Sequence, residues 1–214
     1  MVQNRLRRPA VSPRFFNEDW FSGHIPLWET LFADRKGCPR LAGLEIGSYE
    51  GRSASWLLEH VVTGAGARLD CVDVFNVPMK PLPGAPAAHL DRFRANVAPW
   101  RDHVRIHVGK SSAVLRRLPP GYDFVYIDGA HRPAQVLTDA VLSWLLLKTG
   151  GLMIFDDYEW AQRPSPAERA KLGIDSFLAC FAGHYEILHR AYQVALRKTD
   201  DSLVSPDHRL AGII

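Results

Sequence analysis

The sequence predicts an α/β fold: a doubly wound, mostly parallel sheet that ends in an antiparallel hairpin. Three observations predict it. Five short apolar runs alternate with helical patterns between Leu44 and Phe155. Those runs are nearly continuous in apolar residues, as strands covered on both faces must be. The end of the chain differs, offering Tyr185–Leu188 and Gln193–Arg197, close enough in sequence to pair as a hairpin.

Phe15–Ala33 holds Trp20 and Trp28 and is expected to form one or two helices over the sheet's edge or mouth. Leu44-Glu45-Ile46 is the first strand. Ser53–Val62 reads as a helix because Ala54, Leu57, Leu58 and Val61 share one face. Leu69–Val74 is the second strand, and Ala87–Val97 a helix with Leu90, Phe93 and Val97 aligned. Val104, Ile106 and Val108 alternate as the third strand. A short helix at Ser111–Leu118 leads to the fourth strand, Phe124–Ile127. Pro133–Lys148 is a helix with Ala134, Leu137, Val141 and Trp144 inward, Pro133 in its first turn and Gly150 as its stop. Leu152–Phe155 is the fifth strand, and Ser176–Ala182 is helical. The Pro-rich stretches Val77–Pro86 and Arg163–Pro166 are loops, since Pro suits neither helix interiors nor central strands. The first of them follows the second strand and is expected to close over a ligand bound there.

The 214 residues suit one domain. It divides into a tail at 1–14, a helical cap at 15–35, a core at 41–160 and a C-terminal helix and hairpin at 161–214. With 47% hydrophobic residues the chain can bury a core without staples. A net charge of +3 is too small to argue for nucleic acid. Arg5, Arg7, Arg8 and Arg14 read as a solvated tail, with a phosphate-binding arm as the alternative. Cys38, Cys71 and Cys180 form neither a disulfide framework nor a zinc pattern, so they are expected to be reduced thiols in a cytoplasmic protein. No apolar leader opens the chain, and the longest apolar run, Val141–Leu147, is too short to cross a bilayer. The expected partner is therefore a small molecule, not nucleic acid or a membrane; a homo-oligomer stays open.

Sheets of this class bind ligands at the carboxyl ends of their strands. The first such end reads Leu44-Glu45-Ile46-Gly47-Ser48-Tyr49-Glu50-Gly51-Arg52-Ser53. Gly47 allows a tight turn and a ligand's close approach, and Gly51 lets the next helix start near the strand. The spacing is neither the G-x-G-x-x-G of dinucleotide sites nor a P-loop, which counts against an NAD-dependent oxidoreductase. Asp73 ends the second strand, 26 residues after Gly47, where an acid can accept hydrogen bonds from both ribose hydroxyls of an adenosine ligand.

The run LEIGSYEGRS resembles the first motif of class I S-adenosylmethionine-dependent methyltransferases, nearest the catechol O-methyltransferase-like and macrocin O-methyltransferase-like branches. The resemblance covers about Leu44–Trp160. It implies that Glu45, Tyr49 and Ser53 hold the methionine end of S-adenosylmethionine, that the Gly47 backbone approaches it, and that Asp73 binds its ribose. It places Ser111 and Ser112 against adenine; Ser111 also reads as a plain helix N-cap.

The fourth strand ends Asp128-Gly129-Ala130-His131, and the fifth ends Asp156-Asp157. Adjacent parallel strands would bring these three carboxylates to one rim, where like charges raise one another's pKa. A hard dication such as Mg²⁺ would resolve this. The resemblance supports that layout, with acids 28 residues apart at 128 and 156. The alternative is that Asp128 contacts the cofactor while Asp156 and Asp157 only cap a loop. His131 stands where the related enzymes carry a basic residue. It is a candidate general base for an acceptor hydroxyl, or else a structural partner of Asp128. The acceptor pocket is expected among Trp20, His24, Trp28, Tyr158 and Trp160, each of which also reads as core packing. The resulting expectation is a Mg²⁺-assisted O-methyltransferase acting on a small-molecule or natural-product hydroxyl. A metal-independent O- or N-methyltransferase is the alternative, and a non-catalytic nucleotide-binding module on the same fold is the rival of another class.

Overall fold

The computed structural model describes residues 14–162 and 165–202. Most of the predicted tail, Arg163 and Pro164 of the second Pro-rich loop, and the last twelve residues of the C-terminal segment lie outside the described residues. Arg14, the tail's last residue, pairs with Glu59 at 2.6 Å.

Seven strands form one sheet: β1 (Ala42–Ile46), β2 (Arg68–Asp73), β3 (Val104–Val108), β4 (Tyr122–Ile127), β5 (Leu147–Phe155), β6 (Tyr185–Arg190) and β7 (Val194–Lys198). Their order is β3-β2-β1-β4-β5-β7-β6. The first five are parallel, and the β6–β7 hairpin adds to β5 through an antiparallel β7. The chain winds one way from β1 to β3 and the other way from β4, so the reversal lies between β1 and β4. Open α/β sheets place ligands at that crevice.

The helices are α1 (Ile25–Leu31), α2 (Arg52–His60), α3 (His89–Val97), α4 (Ser111–Val114), α5 (Pro133–Leu146) and α6 (Ala170–Cys180). One face of the sheet is covered around Trp28, Trp56, Phe93 and Phe124. The other is covered around Trp144, Phe155 and Phe177. β1 and β4 lie between these layers, and this explains why their sequences do not alternate.

The sequence misplaces four features. The segment carrying Trp28 packs on a sheet face, where the Trp28 ring meets Tyr126 edge-on at 4.8 Å. Gly150 does not stop α5; the helix ends at Leu146, and Gly150 lies within β5. Leu147 is drawn into register with Tyr122, and Lys148 Nζ donates to Asp123 at 2.6 Å, so residues that look helical extend the strand. The last helix begins at Ala170, before the expected Ser176. Lys110, not Ser111, is the N-cap of α4, and no side chain caps it.

Among the described residues no helix is long and apolar enough to cross a membrane. Cys38, Cys71 and Cys180 are free thiols.

Candidate functional site

The turn after β1 fixes the centre of the site. Gly47 has φ 88°, and a Cβ there would lie 2.0 Å from the carbonyl oxygen of Asp128. The glycine therefore serves first to let the ends of β1 and β4 close on each other. Replacing Gly47 with alanine should destabilise the chain by roughly 2–5 kcal/mol, from backbone strain plus a backbone clash that no side-chain rotation relieves. Chemical denaturation would measure this; a loss below about 1 kcal/mol would mean that the turn yields easily. Gly51, φ 82°, faces the Phe93 ring so closely that a Cβ there would come within 2.9 Å of it. This second glycine therefore sets how closely α2 and α3 pack.

Glu45 is fully buried, and burial raises its carboxyl pKa. Ser53 donates to its Oε1 at 2.6 Å, while Oε2 has no partner among the described residues. Asp73 joins the first two strand ends. Its Oδ2 accepts the Tyr49 amide at 2.9 Å, and its Oδ1 accepts the Phe75 amide at 2.7 Å. Tyr49 and Phe75 have φ 46° and 47°, in the left-handed region that bulky residues avoid. Strained residues of this kind persist where the surroundings over-determine them, often at binding sites.

A buried polar network supports this turn from behind. Arg92, only 1% exposed, donates to Glu50 at 2.8 Å and to the carbonyls of Pro86 and Lys80, both at 3.0 Å. Glu50 in turn accepts the Asn17 amide at 2.6 Å, and Asn96 brackets the backbone of Phe15. The Pro-rich loop and the N-terminal segment are thus both fastened to the glycine turn. Neither Arg92 nor Asn96 stood out in the sequence, where a charged residue in a helix reads as solvated.

The ends of β4 and β5 form the second half. The Tyr126 hydroxyl lies 3.0 Å from Asp128 Oδ2 and 2.5 Å from Asp156 Oδ2, bringing those two carboxylates to one atom. Burial first, and then the neighbouring carboxylates, raise the pKa of Asp128; burial raises that of Asp156. Asp157 is turned elsewhere. It accepts from the Tyr192 hydroxyl at 2.9 Å, and its Oδ2 pairs with His131 Nδ1. Among the described residues no three acidic, His or Cys side chains are arranged to hold a metal ion. His131 has its carboxylate partner in Asp157, where the sequence offered Asp128 for that structural role. Its ring also packs on Trp160 at 4.9 Å. Strand alternation could have revealed Tyr126, two residues before Asp128 on the same face. Nothing in the sequence points to Tyr192, which reaches the site from the β6–β7 turn.

Ser111 and Ser112 open α4 beside the end of β3. Burial pushes the pKa of Asp139 in α5 up to about 6, and the neighbouring Ser111 side chain opposes that shift. The expected acceptor-lining residues separate into two groups. Trp20 is 69% exposed beside Tyr49, His24 stacks on Tyr192, and Trp160 lies on His131. Trp28 is wholly buried, with its Nε1 donating to Gln193 at 2.8 Å. Tyr158 is buried too, its hydroxyl occupied by Asp175, Lys171 and Arg190. These two are core and hub residues, because both phases of the aromatic pattern look alike in sequence.

The methyltransferase-domain family matches residues 44–158 of this chain. An uncharacterized protein of Acanthamoeba polyphaga mimivirus is 27% identical over 143 residues, spanning 59% of this chain and 57% of that one. The chain thus spans little more than half the length of that relative. Among solved structures, an O-methyltransferase from Bacillus cereus in complex with SAH superposes with a TM-score of 0.60 at 18% identity, covering 86% of this chain and 84% of that one. MycE methyltransferase from the mycinamycin biosynthetic pathway, in complex with Mg and SAH, gives a TM-score of 0.60 at 17% identity, covering 92% and 53%. At such identities the likeness is one of fold.

Proposed function

The chain belongs to the methyltransferase-domain family, within the class I group that uses S-adenosylmethionine, and from that premise we propose that it methylates a hydroxyl of a small-molecule acceptor. The observation that carries the oxygen reading is the Asp157–His131 pair, set on the same rim as Asp128 and packed against the half-buried Trp160. A hydroxyl must lose its proton as it attacks, and a carboxylate-held imidazole suits that task. The B. cereus and MycE likenesses accord with this reading.

The residues fit the cofactor. Glu45 Oε2, buried without a partner among the described residues, suits the ammonium of a methionine moiety. Each Asp73 oxygen holds one amide and keeps a lone pair for a ribose hydroxyl. When bound, S-adenosylmethionine supplies a methyl group already made electrophilic by its sulfonium. What the chain adds is alignment of the acceptor oxygen with the S–CH₃ bond, which can account for most of the acceleration. His131 would accept the proton at Nε2, the ring nitrogen not engaged with Asp157.

Mg²⁺ fits the donor chemistry of Asp128 and Asp156, whose mutual repulsion a dication would offset. Asp157 holds Tyr192 and His131 with one oxygen each, and would join as a third ligand through a remaining lone pair. The metal would lower the pKa of the acceptor oxygen and fix its direction. A metal-free O-methyltransferase is the second reading, favoured by Asp157 being engaged with His131.

Calorimetry with S-adenosylmethionine tests the cofactor half directly. Asp73→Ala should weaken binding by roughly 1–3 kcal/mol, through lost ribose hydrogen bonds. Unchanged affinity would remove Asp73 from the site. A methyl-transfer assay over hydroxyl and amine acceptors tests the oxygen half; turnover confined to amines would overturn it.

A further inference from the structure

His89 opens α3 directly after the Pro-rich loop. It is 4% exposed, and neither ring nitrogen has a hydrogen-bond partner among the described residues. A buried polar atom without a partner forfeits its hydration for nothing, and protein interiors keep few of them. An apolar ring would fill this space without that penalty.

The surroundings of the ring bear on what its nitrogens could meet. The His89 ring meets Tyr49 edge-on at 5.1 Å and Phe75 edge-on at 5.3 Å. These are the two residues in left-handed backbone whose amides the Asp73 carboxylate holds. The ring that carries both orphan nitrogens therefore packs against the clasp that Asp73 makes between the ends of β1 and β2.

We propose that His89 is a further hydrogen-bonding residue of the cofactor pocket, its imidazole kept for the ribose side of the bound nucleoside. This rests on the reading that the Asp73 strand end receives S-adenosylmethionine. A ribose hydroxyl both donates and accepts, and a neutral imidazole presents one nitrogen of each kind. Tyr49 and Phe75 cover the ring, so a ribose contact requires one of them to shift. His89 touches no reacting atom and is a binding residue only.

The test uses the full chain, titrated calorimetrically with S-adenosylmethionine and, separately, with adenosine. His89→Phe keeps the ring and removes both polar atoms. It should weaken binding of both ligands about 5–30-fold, the loss of one good hydrogen bond. The ligand-free variant should melt at the same temperature or higher, because an orphaned polar group has gone. His89→Asn should recover part of the affinity. In the wild-type chain, the ¹⁵N resonances of the His89 ring should move on cofactor addition, a readout that needs no variant. Wild-type affinity in His89→Phe, or unmoved ring resonances in a chain that binds cofactor, would overturn the proposal and assign the nitrogens to a buried water. A wild-type chain that binds no S-adenosylmethionine would instead overturn the cofactor reading itself, and His89 with it.

Discussion

His131→Ala should lower the rate of methyl transfer by about 10²–10⁴-fold while leaving cofactor affinity nearly unchanged. The expectation comes from the pairing of His131 Nδ1 with Asp157 Oδ2. A carboxylate on one ring nitrogen fixes the tautomer and the ring's direction, and it stabilises the imidazolium that forms when the other nitrogen takes a proton. Asp157 is itself held by the Tyr192 hydroxyl at 2.9 Å. Asp157→Asn should therefore reproduce much of the loss, because an amide can present the wrong hydrogen-bonding atom to Nδ1. Single-turnover rates measured beside calorimetric cofactor affinities separate chemistry from binding. Near-normal turnover in His131→Ala would reduce His131 to a structural partner of Asp157 and shift proton loss to a metal or to the acceptor's own acidity.

Chelation by EDTA should abolish turnover, and added Mg²⁺ should restore it. Burial first, and then repulsion from the carboxylate that shares the Tyr126 hydroxyl, keeps the Asp128 carboxyl well above its ordinary range. A dication offsets the repulsion, and all-oxygen donors suit Mg²⁺. Mg²⁺ titrated into the chain should release heat in the wild type and little in Asp128→Asn or Asp156→Asn. These arms separate the metal from the base: EDTA acts on the first, and His131→Ala on the second. Full activity in EDTA, in a preparation free of metal, would leave the metal-free reading, in which the Asp157–His131 pair alone removes the proton.

The sequence by itself determined the sheet and the position of the polar rim. A strand buried on both faces must be apolar along its length, so Leu44–Ile46, Phe124–Ile127 and Leu152–Phe155 are recognisable without coordinates. Where such a run meets Gly47, Asp128 or Asp156, the change of chemistry marks a strand end, and strand ends of a parallel sheet share one rim. Side-chain direction was not determined there. Trp28 and Trp160 are both aromatics near the site, yet one is in the core and the other lies on His131, because a local pattern cannot say which layer a segment joins. Gly150 looked like a helix stop until pairing with β4 extended β5 across it. Tertiary structure alone decided that Asp157 turns to His131 and Tyr192 while Asp128 and Asp156 meet at Tyr126. It alone packed the His89 ring against the Asp73 clasp and left its nitrogens without partners among the described residues. The reason is physical: a carboxylate's partners are set by distances of a few ångströms between segments 26 to 35 residues apart in the chain, from Asp157–His131 to Asp157–Tyr192, and no local preference encodes those distances.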